Sequence, residues 1–210
     1  MKLKGSLCVI TILSILFCFS LAEARYNMVA DKRIYRYSGY RAKHHFPYTL
    51  RITIVRDNRP RWERGYISGA QVYTYDRLWS QPVCAMMERI LVREFKTSGM
   101  FTDVARWRKD TTLILKIKLN SFYGRVTIKK RWLREFPFNY IYGRTKLEAT
   151  LVSRKGNKTY LKKNYKGVTS RKVAFLRNQY GHATAAAGRS FEKVVWALLR
   201  DVEASLAKGR

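Results

Sequence analysis

The residues best suited to chemistry in this sequence lie in one run, Lys129-Lys130-Arg131-Trp132-Leu133-Arg134-Glu135-Phe136-Pro137-Phe138-Asn139-Tyr140, where cations are interleaved with large aromatics. The chemistry is recognition rather than bond-making. A lysine or arginine near an anionic bilayer contributes about 1 kcal/mol of attraction, and aromatic rings settle at the headgroup level with the apolar body inward. Lys129, Lys130, Arg131, Trp132, Arg134, Phe136, Phe138 and Tyr140 are therefore candidate membrane- or partner-binding residues. The same run also fits a crossing between strands whose aromatics cap the open end of the core. Exposure of Trp132 and Phe138 separates the two readings.

Groups that make and break bonds are scarce. The sequence has no glycine-rich phosphate loop, no dinucleotide fingerprint and no HExxH zinc motif, and its 3 histidines leave few members for a nucleophile–His–acid arrangement. Glu88 with Glu94, and Asp201 with Glu203, are carboxylate pairs, but each falls on the predicted polar side of a helix among basic residues, the setting of solvated ion pairs. His44 and His45 are adjacent without a second cluster of ligands at metal-binding spacing. These features describe a protein that is not an enzyme and needs no cofactor or metal.

The elements that must position the binding residues follow from periodicity. Trp79 to Val104 reads as helix, tight turn and strand: Ser80 is the candidate N-cap, Pro82 sits in the first turn, and Val83, Met86, Met87, Ile90, Leu91 and Phe95 recur at helical spacing. Gly99 supplies the left-handed stop. Leu50, Ile52 and Ile54 alternate with Arg51 and Thr53 as a strand with one buried face, and a further short strand is expected near Val72 to Tyr75. Leu113, Leu115, Ile117 and Leu119 alternate with Lys116, Lys118 and Asn120 in the same way. Arg144 to Ser153, the turn Lys155-Gly156-Asn157, and Thr159 to Tyr165 form an antiparallel hairpin. From about Thr184 to Leu206 a wide apolar stripe predicts a second packing helix. Two helices on one face of a mostly antiparallel sheet, an α+β two-layer sandwich, bury both stripes most simply. Arg51, Lys116 and Lys118 then lie on the uncovered face and join the candidate binding residues.

Charge narrows the partner. The formal net charge is +29, from 43 basic and 14 acidic residues, which calls for an anionic partner: phospholipid headgroups, lipopolysaccharide, peptidoglycan or nucleic acid. Lys2 and Lys4 precede an apolar run from Leu7 to Leu21 and the small-x-small pattern Ala22-Glu23-Ala24, so residues 1–24 read as a signal peptide cleaved after Ala24. Cleavage removes Lys2, Lys4 and Glu23 and leaves a net charge of +28. Cys18 follows Phe17, a poor lipidation site, and Cys84 is the only mature cysteine, so no internal disulfide forms. Residues 25–48 carry basic and aromatic side chains without a sustained apolar period and read as a poorly ordered arm before a single domain over residues 49–207.

The run Asp57-x-Arg59-Pro60, then Tyr75-Asp76-x-x-Trp79-Ser80-x-Pro82-Val83, then Leu91, Phe95, Ser98-Gly99-Met100-Phe101 and Val104 resembles the auxiliary components of ABC-type transport systems in Gram-negative envelopes, among them the PqiC-like and YajG-like lipoproteins. The resemblance implies a non-enzymatic, periplasmic or outer-membrane-associated partner of a lipid-transport machine, in contact with transporter or envelope subunits and an anionic lipid surface, with self-association through exposed sheet edges. An exported basic protein that binds nucleic acid is the alternative, motivated by the charge and by Trp132, Phe136, Phe138 and Tyr140 as stacking platforms. The export signal counts against it.

Overall fold

The computed structural model describes residues 25–64, 71–107, 110–129, 138–173 and 178–208. In chain order these form β1 (Phe46–Asp57), a one-turn α1 (Arg61–Arg64), β2 (Gln71–Tyr73), a 3-10 turn (Asp76–Leu78), α2 (Val83–Ser98), β3 (Phe101–Ala105), β4 (Leu113–Lys129), β5 (Phe138–Ser153), β6 (Thr159–Val173) and α3 (Gln179–Lys208). The sheet order is β3-β1-β4-β5-β6. β1 is parallel to β3 and β4, whereas β4, β5 and β6 form an antiparallel meander. The fold is the α+β sandwich that the apolar periodicities predict.

Both long helices lie on one face. The alternating residues Leu50, Ile52, Leu115, Ile117, Leu119, Leu147, Ala149 and Leu151 are buried in one cluster with Met86, Ile90, Leu91 and Phe95 of α2 and with Phe191, Val195, Leu198 and Val202 of α3. Each fully buried Leu, Ile or Phe is worth roughly 1.5–3 kcal/mol relative to exposure. α3 approaches unusually closely because three strands present glycine beneath it. A Cβ at Gly124, Gly143 or Gly167 would collide with the carbonyl oxygens of Ala183, Ala186 and Ser190, respectively. Thr145 Oγ1 and Ser190 Oγ, 2.6 Å apart and buried, fix the helix along that groove.

β4 is long because it changes partner halfway. Its first part pairs with β1 and its last with β2, and the register slips between Leu119 and Ser121. Glu63 of α1 sits at that bulge and accepts from Ser121 Oγ at 2.7 Å and from the Phe122 amide at 2.8 Å. Burial raises the Glu63 pKa, against the opposing effect of these donors.

Three expectations need correction. Residues 25–45 are not a loose arm but a strap over the helix layer, with Met28, Ile34 and Tyr35 among the most buried side chains in the molecule. Its aromatics pack: the Tyr35 ring lies 5.7 Å from that of Phe191 and 5.4 Å from that of Tyr37. β1 itself begins at Phe46, three residues before the expected domain start. Secondly, Glu94 and Glu203 are not solvated. Glu94 accepts from Tyr35 Oη (2.7 Å) and from the amide and hydroxyl of Ser38 (2.7 and 2.5 Å). Glu203 accepts from Tyr40 Oη (2.5 Å) and from the amides of Lys43 (2.6 Å) and His44 (2.8 Å), and His44 Nδ1 lies 3.0 Å away. Glu88 is likewise engaged, by the Ile54 amide at 2.7 Å and by Arg106 at 2.6 Å. Glu94 and Glu203 thus satisfy backbone amides of the strap, whose one β-bridge among the described residues joins Tyr26 to Trp79. Thirdly, Ser80 does not cap α2. Pro82 occupies the cap position without a side-chain bond, and the Ser80 amide instead bonds the Tyr26 carbonyl at 2.9 Å. Gly99 does stop the helix, at φ 71°.

Candidate anion-docking face

The face of the sheet away from the two long helices follows from the same alternation that builds the core. Residues between the buried ones point away from the helices: Arg51 on β1, Lys116 and Lys118 on β4, Lys146 and Glu148 on β5, and Lys162 and Lys166 on β6. Cross-strand register brings them into rows, with Lys116 opposite Thr150, Thr150 opposite Lys162, and Lys146 opposite Lys166. Like charges directly opposite repel by tenths of a kcal/mol or more, so Lys146 and Lys166 gain from an external anion. Glu148 partly offsets the face, 3.4 Å from Lys118. Lys116 and Lys118 are exposed, whereas Arg51 is half-buried.

Beyond the β4 bulge the face changes character. Tyr123 stands opposite Arg144 and Arg125 opposite Tyr142, so arginine and tyrosine alternate in both directions across two strands. The Arg125 guanidinium lies 5.0 Å from the Tyr142 ring, Tyr123 lies 5.9 Å from Tyr142, and Trp62 of α1 covers Tyr123 at 5.2 Å while itself 42% exposed. Burial raises the Tyr123 pKa, with Arg144 pulling the other way through a hydrogen bond, so its hydroxyl stays a neutral donor and acceptor. The Nε groups of Arg51, Arg125 and Arg144 find no acceptor among the described residues. These Nε atoms are buried, so any external anion meets the terminal nitrogens of the guanidiniums, whose planar fork suits phosphate oxygens.

Lys129 and Phe138 are a register pair, the last of the β4–β5 hairpin, and Tyr140, 39% exposed, follows on the same strand as Tyr142 and Arg144. Lys130, Arg131, Trp132, Arg134 and Phe136 lie outside the described residues. Lys129, Phe138 and Tyr140 therefore continue the same pair of strands as the arginine–tyrosine block. Alternation in the sequence places Lys162 and Lys166 on one polar side of their strand, as it does Lys116 and Lys118; Tyr123, Arg125, Tyr142, Arg144 and Lys146 join the face only once β4 and β5 run to their full length, and Trp62 reaches it only through the docking of α1.

The first half of the transport-auxiliary motif, Asp57 to Val83, gathers at the exit of β1, whereas Met100 and Phe101 meet Phe46 at its start. Arg59, 3% exposed, pairs with Asp57 at 2.8 Å and with Asp76 at 2.9 Å, joining the β1 exit to the turn before α2. Burial raises the Asp57 pKa, but Arg59 outweighs it and holds the carboxyl below its ordinary value. With Trp79, Ser80, Pro82, Val83 and Cys84 these groups line a cleft of about 760 Å3. Burial and the nearby Asp57 push the Cys84 thiol up to about 11, which makes it a poor nucleophile.

No protein-family model matches this sequence, and no curated protein matches it. Solved structures do. A Xanthomonas campestris protein of DUF330 superposes with a TM-score of 0.52 at 14% identity, over 79% of this chain and 90% of that one. The two share a fold. A hypothetical protein of Chlamydia trachomatis gives a TM-score of 0.45 at 8% identity, over 75% of this chain and 96% of that one. A candidate lipoprotein of Caulobacter crescentus gives 0.38 at 12% identity, over 57% and 83% of the respective chains.

Proposed function

We propose that this chain is an exported, non-enzymatic accessory protein of the cell envelope, an auxiliary component of an ABC-type lipid-transport system, which docks on an anionic membrane surface through the face of its sheet away from the two long helices. The observation that carries the reading is the composition of that face: lysines and arginines from four adjacent strands, with Lys116, Lys118, Lys162 and Lys166 exposed and Glu148 in ion-pair contact with Lys118. Lipid phosphates are the acceptors that such a surface requires, and the tyrosines beside them suit the headgroup layer. Docking alone fulfils the role; no bond-breaking step is assigned to any residue. The leader-like residues 1–24, the motif around Asp57 to Val104 and the fold shared with the DUF330 protein support an envelope setting. Among the described residues no helix is long and apolar enough to cross the bilayer. The partners are then the lipid surface and subunits of the transporter, with the open edges β3 and β6 left for self-association.

Fractionation of native cells followed by cross-linked co-purification tests this directly. Recovery from the periplasm or the membranes with transporter subunits supports the proposal. Recovery from the cytoplasm with bound nucleic acid refutes it in favour of the nucleic-acid alternative, for which the arginine–tyrosine block would be the stacking surface.

A further inference from the structure

On the helix side, at the same end of the sheet as the hairpin tip, a cavity of about 580 Å3 opens between the first turns of α3, the ends of β5 and β6, and the strap. Its volume lies in the range of sites for small molecules. The floor is apolar and buried: Ile34 from the strap, Ile141 from β5 and Ala186 from α3 are 2%, 6% and 6% exposed. The rim is cationic. Arg171 on β6 and Arg189 and His182 on α3 stand around the opening and are exposed, with Thr169 between them.

Two of the three rim arginines, Arg171 and Arg189, form no salt bridge among the described residues. Arg33, also at the rim, is neutralised by Asp31 at 2.9 Å. Arg171, Arg189 and His182 make no ion pair with a carboxylate among the described residues. Glu192, the acid nearest Arg189 along α3, accepts from the Arg36 amide of the strap and feels the charge of Arg189 without forming a salt bridge with it. A fixed cavity with an apolar floor and two unpaired arginines at its lip matches an amphiphile whose charged end is a phosphate: apolar atoms replace water over Ile34 and Ile141, while the guanidiniums take phosphate oxygens in forked geometry.

We infer that this cavity binds a phosphate-bearing amphiphile, with Arg171 and Arg189 holding the phosphate and Ile34, Ile141 and Ala186 receiving the first part of the apolar chain. The inference deepens the envelope reading by naming the lipid end that the protein holds, and it rests on that reading for the source of the ligand. The shared chemistry is a phosphate group, which free phosphate also offers, so the probes must separate the two.

The test is calorimetric titration of the mature protein with dihexanoyl phosphatidic acid below its micelle concentration, alongside dihexanoyl phosphatidylcholine and inorganic phosphate. Saturable binding of the phosphatidic acid is expected, about tenfold or more tighter than either comparator, since one forked ion pair or a few buried methylenes each supply that factor. The double variant R171E/R189E removes the preference for the anionic lipid. A185F, which fills the cavity from α3, weakens both lipids and leaves the cationic rim in place. Thermal unfolding at the wild-type temperature shows that the surface variant R171E/R189E is folded. Absence of saturable binding, equal affinity for inorganic phosphate, or indifference to R171E/R189E would overturn the inference. K116E/K118E on the opposite face serves as the control: it impairs docking on vesicles and leaves this titration unchanged, so failure of the cavity and failure of the docking face give different results.

Discussion

Glu94 and Glu203 each hold several groups of the strap at once, and the cost of removing them is correspondingly large. Glu94→Ala strands the buried Tyr35 hydroxyl and the Ser38 amide and is expected to lower stability by about 2–3 kcal/mol, the range for bonds to a charged acceptor whose partners stay buried. Urea denaturation measures the loss, and limited proteolysis between Ser38 and His45 should accelerate with it. Glu203 adds a pH dependence. Burial raises its pKa, but the donors from Tyr40, His44 and Lys43 outweigh that, and the net value lies below the ordinary 4.5. A carboxyl with a depressed folded-state pKa contributes stability that is fully present above its unfolded value and is lost as the pH falls through the lower one. Stability should therefore decline from about pH 4.5 downward, and Glu203→Gln should flatten that decline while lowering stability at neutral pH. None of this was legible from helical spacing, which places both acids on a polar face. The strap that covers them lies more than fifty residues away in sequence, and its short apolar positions, Met28 and Ile34, carry no period of their own.

At the scale of elements, the glycine groove determines how α3 meets the sheet. Gly143→Val inserts a branched side chain where the Ala186 carbonyl now lies, and overpacking of this kind costs about 1–3 kcal/mol. Thermal unfolding should show a lower midpoint, with a smaller loss for Gly156→Ala in the exposed β5–β6 turn despite its φ of 73°. The core alternation of β1, β4 and β5 and both apolar helix stripes were legible because period 2 and period 3.6 are local properties. The partner switch of β4 was not, since the slip at Ser121 is held by Glu63, a residue of a one-turn helix with no sequence signature. The Ser80 cap failed for a similar reason: a local rule lost to a bond with Tyr26, a residue of the strap.

At the scale of the molecule, one sheet has an apolar face sealed by α2, α3 and the strap and a basic face on which, among the described residues, only the short α1 docks. The long β4–β5 pair carries that basic face to the Lys129–Phe138 register pair. That the lysines at 116 and 118 would face away from the helices was readable from alternation, whereas the arginine–tyrosine block needed the register between β4 and β5. The block also gives a residue-specific outcome: Arg144→Ala with Arg125→Ala should weaken association with anionic vesicles more than loss of two charges predicts, because the stacked tyrosines lose their orientation as well.

Co-sedimentation of the mature protein with vesicles of phosphatidylcholine alone or mixed with phosphatidylglycerol, over a range of salt, tests the docking face most directly. Two variants of equal net charge are compared, Lys116→Glu/Lys118→Glu/Arg144→Glu on the open face and Arg89→Glu/Lys96→Glu/Lys208→Glu on the exposed sides of the helices. At about 1 kcal/mol for each cation, losing three contacts weakens binding by about 100-fold. The account predicts salt-sensitive binding to the anionic vesicles only, lost in the open-face variant and retained in the helix-side variant. Equal loss in both variants, or loss in the helix-side variant alone, would contradict it.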